Sequence, residues 1–202
     1  MTPGPPAAGG PPSIPPRLAV LLSGGGRTLL NLLDHIDAGT LRASIALVVA
    51  SRESPGADHA RRRGVPTRVL PGRIPVRDLE GLLHEHAVDY AVLAGYLHLL
   101  PIPAAYRDRV TNIHPSLLPR FGGPGMHGRH VHEAVLASGD PISGCTVHLC
   151  TDEYDRGPIL LQRTCPVLSA DTPDTLAARV FALECEAYPA ALTLLFDRGV
   201  PQ

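Results

Sequence analysis

Apolar runs alternate with amphipathic segments through the first half of this chain, and this alternation limits the folds it can adopt. The runs that predict buried strands occupy residues 17–22, 45–50, 66–70, 90–94 and 110–113. The segments that predict helices lie between them, at residues 29–38, 55–63 and 77–86. Because strands that alternate with helices pair in parallel, we predict an α/β fold, a mostly parallel twisted sheet with helices on both faces.

The second half of the chain adds two strands and two helices to this pattern. Strands are predicted at residues 143–150 and 159–167, and a helix at 130–137 precedes them. A long last helix starts with Thr172 as its N-cap and Pro173 as its first residue. The two later strands can be antiparallel to the rest. In such open sheets ligands bind beyond the carboxyl ends of the strands, so we expect functional residues there.

The first 16 residues are rich in Pro, Gly and Ala, and we expect one domain to follow at residues 17–202. Such a composition buries too little apolar surface to fold, so we predict a disordered tail that can be removed without loss of activity. The tail has neither a basic start nor an apolar block, which argues against a signal peptide. No apolar run in the sequence reaches the length of a membrane span.

Charge and cysteine usage exclude several classes of function. The formal net charge of −1 provides no footprint for nucleic acid or an anionic membrane. All 18 basic residues are arginines, which excludes a lysine Schiff base and a P-loop lysine. The four cysteines match no zinc pattern, and we expect no metal site. We interpret them as reduced, mostly buried thiols, which suits a cytoplasmic protein.

A pair of polar residues lies at the end of the predicted strand that begins at residue 110. Asn112 and His114 are two positions apart, so in an extended segment their side chains point to the same face. Pro115 and Pro119 then prevent a helix and hold the following residues extended. An amide and an imidazole on a rigid strand end suit chemistry on a carbonyl group. The alternative is a histidine that only makes structural hydrogen bonds beside a turn.

A glycine-rich turn, residues 23–28, joins the first predicted strand to the first helix. Glycines let the backbone approach an anion, and the start of a helix offers free N–H groups. The turn therefore indicates a phosphate or nucleotide site, with a tight turn that binds no ligand as the alternative. It matches neither GxGxxG nor a P-loop. Ser51-Arg52 also stands where an NAD-binding domain carries an acidic residue, so an NAD-dependent oxidoreductase is the weaker interpretation.

Four parts of the sequence together resemble the formyltransferases that use 10-formyltetrahydrofolate. They are residues 23–26, residues 112–119, the acidic turn 152–159 preceded by Val147-His148, and Glu184 ahead of Tyr188-Pro189. The first of these resembles the phosphate loop of the branch that formylates glycinamide ribonucleotide. The resemblance covers nearly everything after the tail, and it implies the Rossmann-like formyltransferase fold.

This resemblance implies the transfer of a formyl group from 10-formyltetrahydrofolate to the amine of glycinamide ribonucleotide, a step of de novo purine biosynthesis. Asn112 would donate a hydrogen bond to the oxyanion that develops on the formyl group. His114 would stabilise that charge or move a proton. Asp155 would favour the protonated form of His114 and help to relay the amine proton through water. Both small molecules are substrates, so the family implies no tightly bound cofactor, with 10-formyltetrahydrofolate as the co-substrate.

The resemblance also implies two binding regions. The folate pocket would be formed by Leu97, His98, Leu99, Leu100, Asn112, Cys150 and Asp155. The phosphate and the nucleotide would be held by Gly25, Gly26, Arg27, Thr28 and Glu184. The expected partners are these small molecules, with no nucleic acid and no membrane, and we expect a monomer or a homodimer.

The chain departs from the family pattern at residues expected near the acceptor. Arg27-Thr28 replaces the usual Ser-Asn, His98 stands where an arginine is common, and Phe181 occupies an often polar position. Water, as in a deformylase, or another amine therefore remains an alternative acceptor. A folate- or nucleotide-binding relative without turnover is a further alternative. The presence of all three catalytic residues argues against it, because binding alone does not require them. Deformylases usually carry an additional domain, and the length of this chain favours the single-domain branch.

Overall fold

The computed structural model describes residues 14–197, and these residues form a seven-stranded sheet with five α-helices. The strands are β1 (Arg17–Leu22), β2 (Ser44–Ala50), β3 (Thr67–Val69), β4 (Tyr90–Leu93), β5 (Val110–His114), β6 (Ile142–Leu149) and β7 (Ile159–Pro166). The helices are α1 (Arg27–Asp37), α2 (Pro55–Arg62), α3 (Val76–Glu85), α4 (Arg129–Ser138) and α5 (Pro173–Asp197). A short 3₁₀ helix, Ala104–Tyr106, lies between β4 and β5.

The strands follow the order β3-β2-β1-β4-β5-β6-β7 across the sheet. The pairs from β3 through β5 are parallel, whereas β5 with β6 and β6 with β7 are antiparallel. The prediction of a mostly parallel α/β sheet is confirmed. The last two strands take the antiparallel direction that the sequence allowed.

Both faces of the central strands are buried, which explains their uninterrupted apolar sequences. In β1, Leu18, Val20 and Leu22 enter one core, and Ala19 and Leu21 enter the other. The first core includes side chains of α1, α2, α4 and α5, and the second includes those of α3 and of the segment between β4 and β5. Helices therefore cover both faces, as predicted, although four of the described helices share one face.

The N-terminal tail joins the fold at Pro16. Residues 1–13 of the predicted disordered tail lie outside the described residues. The Pro16 carbonyl accepts a hydrogen bond of 2.9 Å from the Ser44 N–H, so this residue already extends the pairing of β1 with β2. At the other end of the domain, Thr172 caps α5 as predicted, because its Oγ1 accepts from the Thr175 N–H over 3.2 Å.

The four cysteines are free thiols, as predicted. Cys145 lies in the first core and Cys150 packs against the second, on the opposite face of the sheet. In the part of the chain that the structure describes, no helix combines the length and the apolar character needed to cross a membrane.

The strand order reverses between β1 and β4, and a cleft opens beyond the ends of these strands. Ser23 follows β1 and joins the segments around this point. Its N–H donates to the Gly95 carbonyl over 3.1 Å, and its Oγ accepts from the Ser51 hydroxyl over 2.7 Å and from the Leu97 N–H over 3.1 Å. Arg52 Nε donates to the Ser23 carbonyl over 2.7 Å. These hydrogen bonds hold together the segments that follow β1, β2 and β4 around the cleft.

Candidate active site

The cleft has a volume of about 660 Å³ and is lined by two groups of chemically active side chains. The first group, which we call the Asn-His-Asp cluster, comprises Asn112, His114 and Asp155, with His148 behind them. The second group comprises Arg27, Phe181 and Glu184, and together with the adjacent backbone loop of residues 24–26 we call it the glycine-loop site. Each group is assembled from elements that are far apart in the sequence.

The register of β5 against β6 builds the first half of the Asn-His-Asp cluster. His148 on β6 lies directly opposite Asn112 on β5. Asn112 Nδ2 is 3.2 Å from His148 Nε2. His148 Nδ1 donates to the Leu149 carbonyl over 2.8 Å, which leaves Nε2 to accept from Asn112. This pairing orients the Asn112 amide and leaves its second N–H for another acceptor.

Asp155 completes the cluster from the loop between β6 and β7. Its backbone is left-handed, with a φ of 55°, which is uncommon for a residue other than glycine. Its Oδ1 lies 3.5 Å from both His148 Nε2 and Asn112 Nδ2. Its Oδ2 lies 3.6 Å from His114 Nδ1 and accepts from the Gly123 N–H over 2.9 Å. The carboxylate therefore touches every other member of the cluster.

The surroundings of Asp155 keep it ionised. Burial alone would raise the pKa of this carboxyl, but the adjacent rings of His148 and His114 and the Gly123 N–H together lower it below its ordinary value. Asp155 is therefore a carboxylate at neutral pH, although its side chain is only 8% exposed.

His114 is neutral in the free protein. Burial lowers the pKa of His114 and His148 adds to this effect, while Asp155 and the Phe121 carbonyl oppose it. Asp155 favours the protonated ring, as expected from the sequence, but the effect of burial is larger and the ring stays neutral. His114 Nε2 donates to the Phe121 carbonyl over 2.7 Å. The position that can take up a proton is therefore Nδ1, which faces the Asp155 carboxylate.

Backbone packing shapes the glycine-loop site. Gly26 is the N-cap of α1 and adopts a φ of 75°, and no side chain of the described residues caps this helix. A Cβ on Gly26 would lie 2.5 Å from the Gly56 Cα at the start of α2. The Gly56 N–H donates to the Gly24 carbonyl over 3.1 Å. The loop and α2 therefore pack backbone against backbone, and the first N–H groups of α1 can receive an anion.

Arg27, Phe181 and Glu184 form the side-chain part of the glycine-loop site. The Arg27 guanidinium carbon lies 3.5 Å from the centroid of the Phe181 ring. Glu184 follows Phe181 by about one helical turn on α5 and lines the same cleft. Burial raises the pKa of Glu184 to about 7, although Arg27 opposes the rise. A fixed cation thus stands beside an acid whose negative charge is weakened, which suits the binding of an anion.

The predicted site residues divide into those that line the cleft and those that do not. The lining includes Arg27, Thr28, Leu97, Asn112, His114, Asp155 and Glu184. Within residues 14–197, it does not include Gly25, Gly26, His98, Leu99, Leu100 or Cys150. Leu100 and Cys150 pack in or against the second core instead, and His98 is exposed beside Tyr96, with the ring centroids 5.6 Å apart. The side chains of Leu100 and Cys150 thus face the core and that of His98 faces solvent, and the role of residues 98–100 and 150 in folate binding stays a prediction.

Sequence reasoning missed one buried polar side chain of the cleft, that of His132, and the role of His148. His132 on α4 is 4% exposed and lines the cleft, and its Nδ1 has no hydrogen-bond partner among the described residues. Tyr96 also lines the cleft, with a hydroxyl that lacks a partner in the same part of the chain. His148 is visible in the motif, but its contact with Asn112 depends on the strand register. For His132, the signal in the sequence was its helical spacing with Val131 and Val135, which places it on the buried side of α4.

Metal ligation finds no support in the cleft. Residues 14–197 contain no group of three His, Cys, Asp or Glu side chains that could hold a metal ion. The groups that converge are an amide, two imidazoles and one carboxylate, and the amide is hydrogen-bonded to one imidazole and to the carboxylate. Such a set can polarise a carbonyl group and accept a proton.

The fold and the Asn-His-Asp cluster define an α/β protein built for chemistry on a carbonyl group at the carboxyl ends of its strands. The family model described as "Formyl transferase" matches residues 16–192. The chain belongs to this formyl transferase family.

Two relatives and one solved structure that match the chain carry the same enzyme name or its synonym. "Phosphoribosylglycinamide formyltransferase, chloroplastic" of Vigna unguiculata is 40% identical over 194 residues, which cover 91% of this chain and 62% of that protein. "Phosphoribosylglycinamide formyltransferase" of Escherichia coli (strain K12) is 34% identical over 89% of this chain and 87% of its own length. The crystal structure of glycinamide ribonucleotide transformylase 1 from Symbiobacterium toebii matches with a TM-score of 0.82 at 35% identity, over 91% of this chain and 88% of that one. The chain thus spans less than two thirds of the plant relative.

Proposed function

We propose that this protein transfers a formyl group from 10-formyltetrahydrofolate to the amine of glycinamide ribonucleotide, and so acts in de novo purine biosynthesis. The observation that carries this proposal is the convergence of Asn112, His114 and Asp155 in one cleft, with Asp155 within 3.6 Å of both other side chains. Family membership and the names of the relatives support the same donor and acceptor.

The geometry supports a division of roles in this transfer. The amine nitrogen attacks the formyl carbon, and negative charge develops on the formyl oxygen. Asn112 donates to that oxygen with the N–H that His148 does not use, because a preorganised donor in a buried site stabilises developing charge. Asn112 is thereby the oxyanion donor, and His148 is the residue that holds it in place.

Proton movement falls to His114 and Asp155. The attacking amine loses a proton, and the neutral His114 ring can take it at Nδ1, directly or through water. The Asp155 carboxylate, 3.6 Å from Nδ1, stabilises the imidazolium that forms. The bond from the formyl carbon to the folate nitrogen then breaks, and that nitrogen receives a proton. The products are formylglycinamide ribonucleotide and tetrahydrofolate.

The acceptor is placed at the glycine-loop site. Arg27 provides the cation and the start of α1 provides the N–H groups that suit a phosphate. Leu97 and Asn112 line the cleft on the side where the folate is expected, and no tightly bound cofactor is needed because the donor is a co-substrate. Thr28 and Glu184 complete the lining on the acceptor side.

An assay with and without the acceptor tests this function. The protein is mixed with 10-formyltetrahydrofolate in the presence or absence of glycinamide ribonucleotide, and tetrahydrofolate is followed by absorbance, with His114→Ala as the inactive reference. Turnover only with the nucleotide, lost in the variant, is the expected result. Turnover without the nucleotide would instead indicate a deformylase, and folate binding without turnover would indicate a non-catalytic relative.

We further propose that the domain of residues 17–202 acts in the cytoplasm as a monomer or homodimer and that the tail is dispensable. The free thiols support a reducing compartment. Removal of residues 1–13 tests the tail without disturbing Pro16, which is bonded to β2. The truncated protein should keep full turnover, and its mass by light scattering gives the oligomeric state.

A further inference from the structure

We propose that Phe181 is a positioning residue that holds the Arg27 guanidinium ready to bind the phosphate of the acceptor substrate. This inference rests on the proposed function, because the acceptor is taken to be a phosphate monoester. It adds a specificity-determining contact that the family motif does not contain, since both residues depart from the usual pattern. The two side chains come from opposite ends of the domain and meet only in the fold.

The contact between the two side chains is close and lies in the cleft. The guanidinium carbon is 3.5 Å from the ring centroid, well within the roughly 6 Å over which a cation is attracted to an aromatic face. Arg27 and Phe181 both belong to the cleft lining. A stacked guanidinium presents its N–H edge away from the ring, and this edge can receive two phosphate oxygens side by side.

The ring has a function here because few other groups restrain Arg27. No carboxylate of residues 14–197 forms an ion pair with it, and its side chain is exposed. A free arginine side chain populates many rotamers, and the binding of an anion would otherwise have to offset the loss of this freedom. Stacking on Phe181 removes part of this freedom before the ligand arrives, which is preorganisation.

Glu184 leaves the Arg27 charge available. It reaches the same part of the cleft from the next turn of α5, and the charge of Arg27 acts to lower its pKa. Burial raises the pKa of Glu184 to about 7, so the carboxyl is only partly ionised at neutral pH. A guanidinium backed by a neutral ring and a half-neutral acid keeps its attraction for an anion, whereas a full ion pair would cancel it.

The test compares Phe181→Leu, Phe181→Tyr, Arg27→Ala and the double variant Arg27→Ala/Phe181→Leu, with KM for glycinamide ribonucleotide measured apart from kcat. We expect Phe181→Leu to raise KM about 3-fold to 5-fold, which corresponds to the range of an exposed cation–π contact. Phe181→Tyr keeps the ring and should stay within about 2-fold of the wild type. Arg27→Ala should raise KM about 10-fold to 100-fold, the range for a hydrogen bond to a charged group.

The double variant separates positioning from direct contact. If Phe181 acts through Arg27, its loss adds nothing once Arg27 is gone, and the double variant equals Arg27→Ala. A KM that rises by the product of the two single effects would overturn the proposal, because Phe181 would then contact the substrate independently. An unchanged KM in Phe181→Leu would overturn it as well. Arg68→Lys, an exposed arginine on β3, serves as the matched control and should leave KM unchanged.

Binding of ribose 5-phosphate by titration calorimetry distinguishes a failure of this inference from a failure of the proposed function. The wild-type protein could fail to formylate glycinamide ribonucleotide while Phe181→Leu, but not Phe181→Tyr, weakens the binding of ribose 5-phosphate. That result would support the role of Phe181 in positioning Arg27 and would contradict the proposed reaction. If formylation is normal and all variants bind ribose 5-phosphate equally, the role of Phe181 in positioning Arg27 is contradicted and the proposed reaction is supported. Melting temperatures within a few degrees show that the variants are folded.

Discussion

The two groups of residues that line the cleft are stabilised in opposite ways. In the Asn-His-Asp cluster, the carboxylate of Asp155 is held by His148, His114 and a backbone N–H, and its pKa is lowered. In the glycine-loop site, Glu184 is an acid of the same chemical kind, but burial without such partners raises its pKa to about 7. One acid is kept charged by its neighbours, and the other is pushed toward its neutral form.

This difference separates reaction chemistry from acceptor recognition. The members of the Asn-His-Asp cluster are largely buried and lie within 3.6 Å of Asp155, so substitution of one member removes a polar partner from the others. The glycine-loop site relies on backbone packing and a single stacked cation, so its side chains can change without disturbing the cluster. The chain accordingly matches the family pattern at Asn112, His114 and Asp155 and departs from it at Arg27-Thr28 and Phe181.

The largest effect is expected from Asp155→Asn, which keeps the shape of the side chain and removes its charge. We expect kcat to fall by about 100-fold or more, because the imidazolium of His114 then loses the carboxylate 3.6 Å away, and KM for the acceptor to change little. Steady-state kinetics with both substrates measure the two constants.

Asp152→Asn is the matched control for this change. Asp152 lies in the same loop but is exposed. The kcat of the Asp152→Asn variant should therefore equal that of the wild-type protein. If Asp155→Asn kept more than a tenth of the wild-type kcat, or mainly raised KM for the acceptor, the separation of chemistry from recognition would be untenable.

A smaller effect, confined to the other group, is expected from Gly56→Ala. The added Cβ would lie 2.7 Å from the Gly24 carbonyl oxygen and 3.0 Å from Gly26, so the loop backbone must shift. We expect a loss of about 1–3 kcal/mol in the free energy of unfolding and a several-fold rise in KM for the acceptor, with kcat at saturation unchanged. Urea denaturation and steady-state kinetics test the two parts.

Gly81→Ala provides the comparison for Gly56→Ala. Gly81 lies in α3, and a Cβ there meets no atom within 4 Å. Alanine favours a helix over glycine by about 1 kcal/mol, so this variant should be as stable as the wild-type protein or more stable. A Gly56→Ala protein with normal stability and normal KM would show that the close approach does not shape the glycine-loop site.

Much of the fold could be predicted from periodicity, because each buried element carries its own pattern. The apolar run of β1 and the leucine spacing of α1 are local properties, and their bounds were predictable to within a few residues. The order in which strands pair is not local. That β4 lies beside β1, and that β6 faces β5 in the register that joins Asn112 to His148, depends on contacts between distant residues.

The site shows the same division. The side-by-side placement of Asn112 and His114 follows from strand geometry alone, and Asp155 was predicted from its motif rather than from geometry. The contact of Arg27 with Phe181 involves residues that no spacing rule connects. The neutral state of His114 also could not be predicted, because the burial that lowers its pKa is a property of the assembled domain.

The smallest effect is expected from Glu184→Gln, and it depends on pH. At its ordinary pKa of 4.5 the carboxyl of an unfolded chain ionises, while the folded protein keeps the proton until the pH reaches about 7. The unfolded state therefore binds fewer protons between these two values, and the folded state loses stability as the pH rises through this window. Above it the penalty is complete, and below it there is none.

Glutamine has the same shape without the ionisation, so the variant should escape this penalty. We expect equal melting temperatures at pH 4 and a variant that melts about 2–4 °C higher at pH 8, as an effect of the order of 1 kcal/mol produces in a domain of this size. The expected free-energy difference is small because the Glu184 side chain lines an open cleft, where water stabilises the charged carboxylate. A variant that melts lower than the wild-type protein at pH 8 would mean that Arg27 stabilises a charged Glu184, and the glycine-loop site would then be paired internally like the Asn-His-Asp cluster. The pH series therefore decides whether the two groups differ in kind or only in degree.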